Sequence, residues 1–343
     1  MPENSVITVN HLGTTKNIRH ISLVLKLDGG INMEYTEKIS LRVAFGKALV
    51  KAGETRTDMR VFDAGTKNST MSLAFERAYP DRFYTAGINE PGMLGLATGL
   101  AMDGKPVVAC DMSVFLHHAY AQIRAAVRQG KGLHMIIAAT HTGIAVGPDG
   151  GSAHDITDLA RMRLIPNMHV LTPVDGNQVN QAVQYALDNP GFYYIRLNRP
   201  AVPIFTDSDA PFEFAKAHHL ADGNKITIVA AGDKAFTAME AAEQLGDGVA
   251  DVIGISTLEP LDTDAIIKSA EKTGRVITIE DHMYVGGLFE SVAGVLARSR
   301  PTPMERIALG RILTTSGEPD ELARIYKVDL QELVERCKQF IDG

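Results

Sequence analysis

One acid stands alone in a long uncharged stretch. In Tyr84-Thr85-Ala86-Gly87-Ile88-Asn89-Glu90-Pro91-Gly92-Met93-Leu94-Gly95-Leu96-Ala97-Thr98-Gly99-Leu100, Glu90 is the only charged residue. It falls between an extended run and a helix of small residues, and Pro91 suits a first helical turn, where a missing N–H does no harm. A carboxylate at a helix start often serves as a solvated cap. The lack of neighbouring charge points instead to a largely buried wall, where a carboxylate needs a partner and takes an unusual protonation state. Gly92, Gly95 and Gly99 leave the helix open to close approach by another backbone or a ligand.

A second cluster runs from Thr140 to Asp155, with four glycines and two histidines in sixteen residues. Read as a bland feature, it is a surface loop ending in a helix cap at Asp155. Loops that follow buried strands more often carry function. Its histidines, His141 and His154, are thirteen apart with no Cys or Glu between them, a poor metal-ligand spacing. Phe115 follows another strand end. Arg196 and Arg199 lie at and just past a further one, where an anionic group could be held. Gly246-Asp247-Gly248 reads as a helix-ending turn, because no asparagine follows it as a metal motif requires.

Alternating elements must position these groups. Short apolar runs at Arg60–Ala64, Pro106–Cys110, His134–Ala139, His169–Thr172 and Tyr193–Leu197 read as strands, with helices at 91–103, 115–129, 155–163 and 176–188. Ser40 reads as the cap of an earlier helix carrying Leu41, Ala44, Phe45, Ala48 and Leu49. The pattern restarts at Lys225–Gly232 and continues with strands Asp251–Ile255 and Arg275–Ile279, helices 234–245, 262–273 and 286–298, and a capped tail helix from Asp329 to Phe340. This predicts an α/β chain of two domains, each a mostly parallel sheet covered by helices. The expected division is a first domain over 36–205, a linker over 206–222 and a second domain over 223–343. Residues 1–35 read as an N-terminal extension, disordered or not native, although Ile21–Leu25 could form a short strand.

The bulk properties set the class. The 343 residues exceed what one core usually serves, and 45% hydrophobic with 22% charged residues is ordinary for a globular chain. A net charge of -7 without a basic block argues against nucleic acid as a partner. Two cysteines fit a reducing cytoplasm, and neither a membrane span nor a signal peptide is expected.

Residues 36–343 resemble the C-terminal half of transketolase, its pyrimidine-binding domain plus its C-terminal domain. The resemblance rests on Gly87-Ile88-Asn89-Glu90, Phe115 through Arg124, His141 through Gly150, Ile165-Pro166-Asn167-Met168, Ile195 through Pro200, and Glu280-Asp281-His282 with Gly286-Gly287-Leu288. It implies that Glu90 is the acid that hydrogen-bonds the aminopyrimidine of thiamine diphosphate and that Phe115 stacks on that ring. Met112 and His118 then line the cofactor pocket at positions where the family usually has aromatics. It makes Glu90 and His141 catalytic, and Arg42, Ser69, His141, Asp149, His154 and Arg199 substrate-binding, with no metal ligand in this chain.

Two departures bear on specificity. The family's next substrate histidine falls on Ala153, with His154 one place late, and Gly65 stands where the family often has Asp. The family's Gly-Asp-Gly motif with its downstream Asn belongs to the other half. The resemblance therefore implies a split transketolase whose N-terminal subunit holds the diphosphate and Mg2+ or another divalent ion, in a heterotetramer of two of each. Its reaction is transfer of a two-carbon ketol unit between phosphosugars, or a specialised version on a modified sugar phosphate. The rivals are a deoxyxylulose-phosphate-synthase-like enzyme, a 2-oxoacid dehydrogenase beta subunit and, in another class, a non-catalytic regulatory or assembly subunit.

Overall fold

A computed structural model describes residues 22–25, 31–34, 37–129 and 132–343. In chain order the strands are β1 Ser22–Leu25, β2 Ile31–Glu34, β3 Lys38–Ser40, β4 Arg60–Asp63, β5 Phe83–Thr85, β6 Val107–Met112, β7 Met135–Thr140 and β8 Met168–Leu171. They continue as β9 Phe192–Leu197, β10 Ala201–Pro203, β11 Ala217–Ala221, β12 Gly223–Ala231, β13 Gly248–Ile255, β14 Thr257–Glu259, β15 Val276–Met283 and β16 Met304–Leu309. β1 and β2 form an antiparallel pair. The rest of the extension expected over residues 1–35 lies outside the described residues.

The first sheet has the order β14-β8-β9-β7-β6-β4-β5 and the second β11-β13-β12-β15-β16. Pairing is parallel throughout except where β14 meets β8 and β11 meets β13. β6, β7 and β9 are buried at every position, which is why their sequences are continuous apolar runs rather than alternating ones. Helices Glu90–Met102 and Tyr120–Gln129 cover one face. Helices Leu41–Thr55 and Gly176–Asp188 cover the other. Phe45 and Leu49 are fully buried there, each contributing ~1.5–3 kcal/mol.

Three elements differ from the sequence reading. The helix expected over 115–129 is broken: Phe115–His117 form a 3-10 turn, and the α-helix starts at Tyr120. The stretch read as linker, 206–222, contains β11, an edge strand of the second sheet. β14 follows β13 in the second half of the chain yet adds to the first sheet, and the core around Phe62, Ala109 and Ile137 runs on into Ile253, Leu258 and Leu288. The two halves therefore share one apolar interior. Long-range pairing of this kind leaves no trace in local periodicity.

The first sheet reverses direction at β4, whose neighbours are β5 on one side and β6 on the other. Such a switch point opens a crevice beyond the carboxyl ends of the strands. Segments following β4, β5, β6, β7 and β9 all lead into that end.

Candidate active site

Glu90 opens the helix Glu90–Met102 that follows β5. Asn89 caps this helix, its Oδ1 accepting from the Gly92 N–H at 2.9 Å, and Pro91 occupies the first turn. Glu90 is only 7% exposed. Its side-chain partner among the described residues is His118, with Nδ1 3.4 Å from Oε1, and the His118 side chain is 65% exposed. Met112, at the end of β6, is buried, and Phe115 is half-buried on the 3-10 turn. The fold thus gathers Glu90, Met112, Phe115 and His118 at one end of the sheet. Among the described residues the acid has accepting capacity to spare.

Two further acids end adjacent strands there, and the sequence reading did not single them out. Asp63 is satisfied: its oxygens accept from the Gly65 and Thr66 N–H groups and from the Thr70 and Ser72 hydroxyls. It thereby shapes the turn that carries Ser69. Asp111 Oδ1 accepts from Thr66 Oγ1 at 2.8 Å and from its neighbour's Met112 N–H at 2.7 Å. Its Oδ2 is buried without a partner among the described residues. Burial, reinforced by the negative charges of Asp63 and Glu90, pushes Asp111 up to about 7. Two acids at the ends of neighbouring strands were the only sequence signal, and it becomes visible once register is known.

The residues expected to meet the substrate lie around His141. Its backbone lies in the left-handed region (φ 56), and Nδ1 is 3.0 Å from Thr140 Oγ1. Burial, aided by the positive charges of Arg42 and Arg199, pushes His141 down to about 4, so the ring is neutral at pH 7. Arg42 Nη1 donates to the Ser69 carbonyl at 2.9 Å, and Ser69 contributes this carbonyl rather than its hydroxyl. Burial lowers Arg42, and so does the charge of Arg199. Ser40 does not cap its helix; its hydroxyl donates to the Arg199 carbonyl at 2.7 Å and ties that arginine to the helix start. Asp149 Oδ1 lies 3.7 Å from Arg199 Nη1. Two arginines, one of them lowered by the charge of the other, beside a neutral histidine suit an anion.

Arg196, expected near an anion, is instead a buried strut. Its Nε donates to Asp158 Oδ2 at 2.8 Å and its Nη2 to the Asp281 carbonyl at 2.7 Å. Tyr194 donates to the same Asp158 oxygen at 2.9 Å and lies 3.0 Å from Ser113 Oγ, which donates to Asp155 Oδ2 at 2.6 Å. Burial opposes ionisation of Asp155, yet His117 and Arg161 hold it well below the usual carboxylate range. Asp155 is not the expected helix cap: the helix starts at Asp158 with Thr157 at the cap position, and Asp155 Oδ1 accepts from the Thr157 N–H and hydroxyl.

The loop after β7 is fastened residue by residue. The Ile144 and Ala145 N–H groups donate to the Asp281 carboxylate at 3.1 and 3.4 Å. Arg199 Nη1 donates to the Val146 carbonyl at 2.6 Å, and Ser316 Oγ to the Pro148 carbonyl at 2.6 Å. His154 Nε2 is 3.0 Å from the Gly147 carbonyl and Nδ1 is 2.9 Å from Thr314 Oγ1. A carbonyl can only accept, so Nε2 carries the proton and the Thr314 hydroxyl donates to Nδ1. Both ring nitrogens are committed inside the chain. His154, expected to meet substrate, is here held between the Gly147 carbonyl and Thr314 of the second domain.

Gly246 ends the helix Lys234–Leu245 and Gly248 begins β13, so the Gly246–Gly248 triplet is a helix-to-strand turn. Among the described residues, His219, Asp222 and Asp251 are close enough to share a cation, and the Lys272 ammonium already hydrogen-bonds both carboxylates. No helix among the described residues is long and apolar enough to cross a membrane.

Residues 37–204 match the family model "Transketolase, pyrimidine binding domain", and residues 215–333 match "Transketolase, C-terminal domain". A "Putative transketolase C-terminal section" from Methanocaldococcus jannaschii is 35% identical over 305 residues, 87% of this chain and 95% of that protein. The transketolase of Rattus norvegicus is 32% identical over 317 residues, 90% of this chain and 50% of that protein. The chain spans about half the length of the mammalian transketolases it matches. Among solved structures, one described as "Split gene transketolase, inactive beta4 tetramer" shares 34% identity with a TM-score of 0.80, covering 89% of this chain and 99% of that one. Transketolase from Leishmania mexicana, at 19% identity and a TM-score of 0.77, shares the fold, covering 90% of this chain and 46% of its own.

Proposed function

Because this chain belongs to the transketolase family and carries its pyrimidine-binding and C-terminal domains, we propose that it is the C-terminal subunit of a split, thiamine-diphosphate-dependent transketolase. Its partner is a separate N-terminal subunit carrying the diphosphate-binding domain. The reaction is transfer of a two-carbon ketol unit between phosphosugars, in the cytoplasm. The observation that carries this reading is Glu90, a buried acid paired with His118 and with accepting capacity left over, opening a helix at the same end of the sheet as Met112 and Phe115.

The pocket residues fit an aminopyrimidine: one carboxyl to meet a ring nitrogen, one aromatic face and one apolar wall. When bound, the cofactor would supply an ionisable thiazolium carbon as the nucleophile for a ketose carbonyl. Glu90 holds and exchanges a proton at the aminopyrimidine ring nitrogen, a task that needs a carboxyl shielded from water. His118, already bonded to Glu90, shares that carboxyl. The neutral His141 presents a ring that can donate to or accept from a sugar hydroxyl, and Arg42 and Arg199 hold the phosphate with Asp149 at its edge. The diphosphate and its divalent ion fall to the partner subunit. The inactivity stated for the similar split-gene tetramer supports that dependence, and the proposed assembly is a heterotetramer of two subunits of each kind. The relatives matched are described as transketolases, which favours this reading over a 2-oxoacid dehydrogenase subunit.

The test is Glu90→Gln in the assembled enzyme. The amide keeps shape and hydrogen bonding but removes the exchangeable acid, so C2 proton exchange on the cofactor is expected to slow by about 100-fold or more. Exchange at the wild-type rate in a folded, assembled variant overturns the assignment.

A further inference from the structure

Five consecutive residues, Ile144–Pro148, sit between His141 and Asp149, and each has a backbone group held by a side chain from outside that segment. Asp281 and Ser316 come from the second domain, and His154 is itself held by the second domain's Thr314. The two domains touch closely here. A Cβ on Gly143 would fall 2.1 Å from Asp281 Oδ2, and one on Gly151 would fall 2.3 Å from the Thr314 carbonyl oxygen.

Two routes converge from this contact onto Arg199. Thr314 orients His154, which holds the Gly147 carbonyl; the adjacent Val146 carbonyl accepts from Arg199 Nη1. Ser316 holds the Pro148 carbonyl, and the next residue, Asp149, lies 3.7 Å from the same Arg199 nitrogen. Arg199 is in turn the like charge that Arg42 and His141 both feel. We infer that the second-domain segment Thr314–Ser316 is a specificity-determining element for the phosphorylated end of the substrate, positioning Arg199 and Asp149 through His154 and Pro148. This rests on the phosphosugar reading above and adds to it a role for second-domain residues. Thr314 and Ser316 are positioning residues; neither needs to touch the ligand.

The sequence pattern agrees with this division of labour. Thr314-Thr315-Ser316-Gly317 is polar and without periodicity, and only the fold brings it against the glycine-rich loop. Removing the Thr314 hydroxyl while keeping its shape leaves His154 Nδ1 without its donor, and the Gly147 carbonyl then loses a fixed partner. Removing the Ser316 hydroxyl frees the Pro148 carbonyl directly.

The experiment has two arms. In the first, the full chain alone is titrated with inorganic phosphate, using Thr314→Val, Ser316→Ala, Thr314→Ser and wild type. A lost neutral hydrogen bond predicts phosphate binding weaker by about three- to tenfold in Thr314→Val and Ser316→Ala, restored in Thr314→Ser. In the second, the same proteins are assembled with the diphosphate-binding subunit and assayed with D-xylulose 5-phosphate and with D-xylulose. The KM for the phosphorylated ketose is expected to rise by about the same factor while kcat and the KM for D-xylulose stay within about twofold. A uniform loss with both ketoses, or equal phosphate affinity across all four proteins, overturns the inference. If wild type binds phosphate but turns over neither ketose, the transketolase reading fails while the first arm still decides the role of Thr314 and Ser316.

Discussion

Lowering the pH should selectively destabilise this fold through His141. The ring is 4% exposed and neutral, held down to about 4 by burial and by Arg42 and Arg199. In the unfolded chain it titrates at an ordinary value of about 6.5. Between those values the unfolded state binds a proton that the folded state refuses, so stability falls as pH drops from 6.5 toward 4 and the loss is complete below 4. The gap corresponds to about 3 kcal/mol at most. Other groups titrate in the same range, so the readout is a difference. Urea unfolding of wild type and His141→Gln at about pH 7.5 and about pH 4.5 should show wild type losing about 2–3 kcal/mol more than the variant. Arg42→Ala should shrink that excess, because one of the charges disfavouring the imidazolium is gone. Equal losses in wild type and His141→Gln would refute the assignment of a neutral, buried ring.

Asp111 carries the opposite sign: its folded value lies above its unfolded one, so its contribution is full below about 4 and is lost as pH rises through about 7. Asp111→Asn removes that loss, and thermal unfolding near pH 8 should show the variant more stable than wild type by about 2–4 kcal/mol, with the gain shrinking to about 1–1.5 kcal/mol near pH 5 and vanishing below about pH 3.5. Gly151→Ala places a methyl against the Thr314 carbonyl oxygen and should cost about 1–3 kcal/mol in denaturant unfolding. Gly95→Ala on the Glu90 helix meets nothing within 4 Å and should stabilise the lone chain by about 0.5–1 kcal/mol, measured the same way.

Much of this architecture was legible before any coordinates. β6, β7 and β9 announce themselves as unbroken apolar runs because both sheet faces are covered, and Glu90 stands out because a lone charge in sixteen uncharged neighbours has to be accounted for. What local pattern could not show was partnership across distance. Phe115 read as part of a helix because its spacing to Leu116, Ala119 and Ile123 is helical, although the chain makes a 3-10 turn there first. Arg196 read as an exposed strand-end cation, but Asp158 and the Asp281 carbonyl, dozens of residues away, take its donors. The link from His154 to Thr314, 160 residues away, could not be seen in the local pattern. Asp111 was overlooked for a related reason: its unusual state comes first from burial in the assembled sheet, reinforced by Asp63 and Glu90, which only strand order brings close.

The face of the Glu90 helix remains open in the single chain. Leu96 and Met102 are exposed, Ile88 just before the helix is 91% exposed, and nothing stands near Gly95 or Gly99. The proposed second subunit would cover this face beside Glu90. The most direct measurement is calorimetric titration of thiamine diphosphate with Mg2+ into this chain alone and into its mixture with a chain carrying the diphosphate-binding domain, followed by ketol-transfer assays of both samples. The account expects weak binding and no turnover for the chain alone, and tight binding with turnover for the mixture. Tight, magnesium-dependent binding and full activity in the isolated chain would contradict it.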